Sequence, residues 1–116
     1  MSRGLGDVYK RQANNDAMAL GAIDAYEKLG VTESNVPAFF GVDGTDDGLE
    51  AVQQSKLAAT VYNDKEGQAR AMASLAYLAA TGGSMKSIKF EDKKYVYLPY
   101  EKVTLDNVNE FVKDEQ

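Results

Sequence analysis

Cysteine and histidine are both absent from these 116 residues. Without cysteine there is no disulfide, no thiolate metal site and no thiol nucleophile. Without histidine the commonest general base and metal ligand is missing too. Catalysis would have to run on carboxylates, lysine or serine, so an enzyme finds little support. Long apolar runs are also lacking. The clusters are as short as Ala38-Phe39-Phe40, far below the roughly 18 consecutive apolar residues of a membrane span. Positive charge is in deficit, with 13 Lys and Arg against 18 Asp and Glu for a net charge of -5. No nucleic-acid partner is expected, because a phosphate backbone selects a clustered basic surface. Internal repeats and low-complexity tracts are missing as well.

What is present is 44% hydrophobic and 27% charged, a balance that suits a globular chain of one-domain length. The first twelve residues differ from the rest. They carry Arg3, Lys10 and Arg11 against a single Asp7 in an otherwise acidic chain. Gly4-Leu5-Gly6-Asp7-Val8-Tyr9 lacks the apolar stretch of about 7 to 15 residues that a secretory signal requires. Residues 1–12 therefore read as a foreign or artefactual leader, in which Arg3, Lys10 and Arg11 are not expected to be buried.

From Asn14 onward helix-like and strand-like segments alternate. Ala19, Ala22, Ile23 and Tyr26 follow the three-to-four spacing of an amphipathic helix that Asp16 can cap and Gly30 can stop. A short strand is expected over Ala38–Val42, ending at Asp43-Gly44. A helix starts near Thr45 or Asp46 with Leu49 and Val52 facing inward, and the strand Ala59–Tyr62 follows, ending in Asn63-Asp64. A long helix spans about Lys65 to Ala80, with Ala69, Met72, Ala73, Ala76 and Ala79 on one face and Gly82-Gly83 as terminator. The tail predicts a strand Tyr95–Leu98 before Pro99, then a helix after Thr104 with Leu105, Val108, Phe111 and Val112 inward. The alternation implies an α/β fold with a parallel sheet and flanking helices. In such sheets ligands sit beyond the carboxyl ends of the strands, where Asp43 and Asn63 fall, and Asn15 too if a strand precedes Asn14.

The segments Ala13 to Ala22 (ANNDAMALGA), Phe40-Gly41-Val42-Asp43, Thr60 to Asp64 (TVYND) and Leu98-Pro99-Tyr100 resemble, in order and spacing, the closing part of the type I periplasmic sugar-binding proteins, in particular the galactose/glucose-binding proteins of bacterial ABC transporters. The resemblance runs from Ala13 to Gln116. It implies a partial type I periplasmic-binding-protein fold holding incomplete parts of two lobes. Residues 13–62 then belong to the C-terminal lobe, 63–99 to a hinge crossover and part of the N-terminal lobe, and 100–116 return to the first. It implies the substrate-binding component of a sugar ABC transporter rather than an enzyme. Such a component takes a hexose such as galactose or glucose into an interlobe cleft and delivers it to a membrane permease and in some cases to a chemoreceptor. It implies an extracytoplasmic location for the full-length protein, and a fragment that is inactive alone because the other half of the site lies upstream.

Residue by residue, Asn15, Asp43 and Asn63 match family positions whose side chains hydrogen-bond sugar hydroxyls, with Asn63 at the hinge. A carboxylate accepts two hydroxyl protons and a carboxamide both donates and accepts, so these side chains can hold vicinal hydroxyls in a fork. Each also has a plain structural role open to it: Asn15 and Asp16 as helix caps, Asp43-Gly44 as a turn, Asn63-Asp64 as another cap. No cofactor is expected in this segment. Asp43 to Gly48 looks like the start of a calcium loop, but its twelfth position is Gln54 instead of the closing Glu, and the family's calcium site would lie upstream. Tyr95, Tyr97 and Tyr100 read as sheet surface. The same fold also serves the sugar-sensing core of LacI-type transcription regulators, which stands as the alternative function.

Overall fold

The computed structural model describes residues 10–112, without the side chains of Lys10, Arg11 and Glu33. Arg3 and most of the leader lie outside the described residues, as do the side chains of Lys10 and Arg11. The elements are β1 (Lys10–Gln12), α1 (Asp16–Lys28), β2 (Ala38–Phe40), α2 (Asp46–Gln53), β3 (Thr60–Asn63), α3 (Lys65–Thr81) and β4 (Tyr100–Val103), with short 3-10 turns at Glu33–Asn35 and Val108–Glu110. Backbone contacts divide the chain into two compact units. One runs up to Asn63 and resumes at Glu101, and the other is Asp64–Tyr100.

In the first unit β1 pairs parallel with β2, Lys10 opposite Ala38 and Gln12 opposite Phe40. The ladder thus begins inside the segment that composition sets apart. Parallel bridges Phe40–Ala59 and Asp43–Tyr62 carry the pairing on toward β3, and β4 is paired with β3. Adjacent parallel strands need crossovers, and α1 and α2 supply them.

Burial explains why the helices form where they do. Ala19 and Ile23 of α1, Phe39 of β2, Leu49, Ala51 and Val52 of α2, Leu57, Val103 and Val108 make up the core. Ala19 and Ile23 lie four residues apart and Leu49 and Val52 three, which puts each pair on one stripe of its helix, with Ala51 beside the second. Tyr26 meets Phe39 edge-on with ring centroids 5.6 Å apart, and Tyr62 lies 5.0 Å from Phe111. Truncating any of these side chains would leave a cavity costing roughly 24 cal/mol per Å³ on top of the lost transfer energy, so these positions tolerate change least.

The second unit is built on α3, capped at its start by the Asp64 side chain accepting from the Gly67 N–H at 2.9 Å. It ends at Gly82, whose φ of 65° is the left-handed conformation glycine tolerates best. No residue of α3 is buried. The face of Ala69, Met72, Ala73, Ala76 and Ala79 is exposed, and the half-buried positions are instead Ala71, Leu75 and Leu78 with Glu66 and Gly67. Periodicity identifies a helix and its possible stripes, but the packing partner selects the covered one.

Three expectations near the carboxyl end need correction. The strand placed at Tyr95–Leu98 is absent: Glu91 and Tyr95 close a tight antiparallel bridge around Asp92 and Lys93, both at positive φ. The paired strand is Tyr100–Val103, beyond Pro99. Tyr95 and Tyr97 consequently stack on each other, 5.7 Å between centroids, beside a turn rather than on a sheet surface. The helix after Thr104 is only a turn followed by the 3-10 segment Val108–Glu110. Val108 is buried and Phe111 and Val112 half-buried, whereas Leu105 is exposed.

Candidate functional site

Three parallel segments end at the same edge of the first unit, and each delivers a polar residue there. Asn15 follows β1, Asp43 follows β2 and Asn63 is the last residue of β3. The alignment is set by the backbone. The Ala13 N–H donates to the Phe40 carbonyl at 3.0 Å and the Asp16 N–H to the Val42 carbonyl at 2.8 Å. The Asp43 N–H donates to the Val61 carbonyl at 2.9 Å, and the Asn63 N–H to the Asp43 carbonyl at 3.1 Å. All three residues are half-buried.

Asn15 is the N-cap of α1, its Oδ1 accepting from the Met18 N–H at 2.9 Å. This bond occupies one lone pair of the amide oxygen and leaves the NH2 group out of the cap, so capping and ligand contact are compatible in one carboxamide. Asp43 has a φ of 108°. A non-glycine residue in that region costs on the order of 1–3 kcal/mol and persists only where its surroundings impose it. Gly44 follows at φ 65°, and a Cβ there would come within 2.7 Å of the Tyr62 ring. The turn therefore presses against β3 and needs glycine at that position.

Asp16 is not the cap. It is the first residue of α1, wholly buried, and its carboxylate accepts three hydrogen bonds. Oδ2 accepts from the Thr45 N–H at 2.8 Å and from the Thr45 hydroxyl at 3.2 Å. Oδ1 accepts from the Thr60 hydroxyl at 2.6 Å. Thr45 in turn caps α2, its hydroxyl oxygen accepting from the Gly48 N–H at 3.1 Å. Burying a carboxylate costs several kcal/mol. The charge-assisted hydrogen bonds and the positive amino ends of α1 and α2 offset that cost. The loop Asp43–Gly48, which looked like a calcium loop, is thus occupied in capping α2.

Room for this carboxylate comes from two glycines. A Cβ at Gly41 would collide with Asp16 Oδ1, and one at Gly48 with Oδ2. Sequence reasoning read Asp16 as a cap and Thr45 as a helix start, and gave no role to Thr60, Gly41 or Gly48. The available signal was Gly48, a glycine inside a helix, where a helix former would ordinarily be about 1 kcal/mol better unless packing forbids it.

Comparison with known proteins accords with this architecture. The profile of the periplasmic binding protein domain family matches residues 11–84. The D-galactose/methyl-galactoside binding periplasmic protein of Haemophilus influenzae is 38% identical over 103 residues, 87% of this chain and 30% of its own length. A putative rhizopine-binding protein of Rhizobium meliloti is 34% identical over 85% of this chain and 29% of its own. Among solved structures, an ABC transporter solute binding protein of Bacillus halodurans with bound myo-inositol superposes with a TM-score of 0.72 at 39% identity, covering 88% of this chain and 32% of that one. The chain thus spans about a third of the length of these relatives. With a family profile matched over more than half of its residues and the parallel strands, crossover helices and polar carboxyl edge in place, the chain belongs to the periplasmic binding protein domain family.

Proposed function

We propose that this chain is the carboxyl-terminal portion of the substrate-binding component of a sugar ABC transporter, and that it binds a polyhydroxylated ring without transforming it. Asn15, Asp43 and Asn63 make hydrogen bonds to the ring hydroxyls. The observation that carries this reading is the delivery of these three side chains to one edge by three neighbouring parallel segments. Two carboxamides and a carboxylate supply both donors and acceptors there, the mixture that vicinal hydroxyls require. The relatives support the ligand class, since their names and contents include galactose, methyl galactoside and myo-inositol. A hexose such as galactose or glucose is the proposed ligand.

Asn63 closes one compact unit and Asp64 opens the other, which supports a hinge at this crossover and the assignment of residues 13–62 and 100–116 to one lobe and 63–99 to the other. A membrane permease is the proposed partner, with a chemoreceptor as a second, and the full-length protein works outside the cytoplasm. The relatives described above are binding proteins and none is a transcription regulator, so the LacI-type alternative gains no support.

The test is calorimetric titration of D-galactose, D-glucose and myo-inositol into the full-length receptor and its Asp43→Ala variant. Loss of a charge-assisted hydrogen bond, about 1.5–3 kcal/mol, weakens affinity roughly ten- to hundredfold. Unchanged affinity removes Asp43 from the site. The 116-residue chain by itself is expected to show no saturable heat with any of the three.

A further inference from the structure

The residue before Asp43 and the second residue after it are held by one and the same amino acid. The Asp16 N–H donates to the carbonyl of Val42 at 2.8 Å, and Asp16 Oδ2 accepts from the N–H of Thr45 at 2.8 Å. Between these two points lie Asp43 at φ 108° and Gly44 at φ 65°. On its far side the same carboxylate takes the Thr60 hydroxyl, at the start of the strand that ends in Asn63. Asp16 also follows Asn15 directly in the chain. A single buried residue, through its backbone N–H to Val42 and its carboxylate to Thr45 and Thr60, is therefore bonded to, or adjacent to, the supports of all three residues proposed to meet the ligand.

Joining the amino ends of α1 and α2 accounts for the Thr45 bond but not for the tie to Val42 on the other flank of Asp43. Capping of α2 is already accomplished by the Thr45 hydroxyl, and the hydrophobic core lies among other residues. What the bracket around Asp43 does supply is an outside constraint on a positive-φ aspartate: both of its flanks are tied to Asp16, the kind of surroundings such a backbone needs in order to persist. Ligand groups lose affinity steeply when their own supports are loose, because the ordering cost is then charged to binding.

We infer that Asp16 is a positioning residue for the ligand, acting through Asp43: it clamps the Val42–Thr45 turn so that the Asp43 carboxylate is presented in the orientation that meets the ring hydroxyls. The inference rests on the reading of Asp43 as a ligand contact. Asp16 itself touches no ligand.

The experiment is a double-mutant cycle in the full-length receptor, with D-galactose and myo-inositol as probes and affinity read by calorimetry well below the melting temperature. Asp16→Ala weakens binding at least tenfold when Asp43 is present and less than twofold in the Asp43→Ala background, because the positioned group is then gone. Asp16→Asn restores binding to within about threefold, since its amide oxygen still accepts from the Thr45 N–H while its NH2 group turns to the Thr60 hydroxyl. If Asp16→Ala does not fold, Gly48→Ala replaces it in the same cycle, as its new Cβ displaces Oδ2. A loss of equal size in both backgrounds, or no loss with Asp43 intact, overturns the positioning role while leaving the ligand contacts standing. Full affinity in Asp43→Ala alone refutes the ligand reading, and the positioning role with it.

Discussion

The two units of this chain are held together by different physics. Every buried residue described, apolar or polar, lies in the unit built from the residues before Asp64 and after Tyr100, and none lies in Asp64–Tyr100. In the first unit α1 and α2 are short helices, 13 and 8 residues long, of a length that is marginal in water. They persist because an apolar stripe is covered and a buried carboxylate joins their amino ends. In the second, α3 reaches 17 residues with no buried position. It rests on alanine-rich propensity, an Asp64 cap and a glycine stop. Tertiary burial defines one unit, and local sequence preference defines the helix of the other.

The sharpest break of that contrast is a matched pair of truncations. Leu57, 1% exposed, is expected to cost about 2–5 kcal/mol on change to alanine. Leu78→Ala, at a half-buried position of α3, should cost less than about 1 kcal/mol because little transfer energy is at stake. Urea denaturation followed by circular dichroism, with hydrogen exchange to localise the change, compares the two. Equal losses would mean that α3 is packed as firmly as the core.

A second break uses glycine. Replacing a helical glycine by alanine ordinarily stabilises by close to 1 kcal/mol. At Gly48, where a Cβ meets the Asp16 carboxylate, the sign should reverse, with a loss of roughly 1–3 kcal/mol from overpacking. A thermal melt that rises for Gly48→Ala would show that the carboxylate can move aside without penalty. The smallest effect belongs to Gly21→Ala on the exposed side of α1, where nothing lies within 4 Å of the new Cβ. A gain of about 0.5–1 kcal/mol is expected there, measured in the same melts, and together the two glycines separate intrinsic propensity from tertiary constraint.

Much of the fold was legible because its signals are local. Thr45 before an acidic first turn marked the start of α2, Gly82 marked the end of α3, and the spacing of Ala19, Ile23, Leu49 and Val52 marked their buried stripes. The positions of Asp43 and Asn63 after two strands could be read from strand-then-polar punctuation, whereas Asn15 was placed at that edge only on condition that a strand preceded Asn14, and β1 lies in the segment read as a foreign leader. The shifted strand at Tyr100–Val103 could not, because its adjacent Glu101 and Lys102 make it a weaker strand signal than Tyr95–Leu98, and only the pairing with β3 marks it as the strand. Asp16 was hidden for a related reason: an acid at a helix start looks the same whether it caps its own helix or reaches into another.

The sequence by itself determined the α/β class, the alternation of helices and strands from α1 to α3, most helix ends, and the exclusion of histidine and thiol chemistry, since each follows from residue type or from spacing along the chain. Only the tertiary structure decided which face of α3 is exposed, that Gly41 and Gly48 leave space for one carboxylate, and that Asp16 grips both flanks of Asp43. Those depend on groups 29 and 44 residues apart meeting at hydrogen-bonding distance, and separation along a chain carries no information about contact in space until the chain has folded.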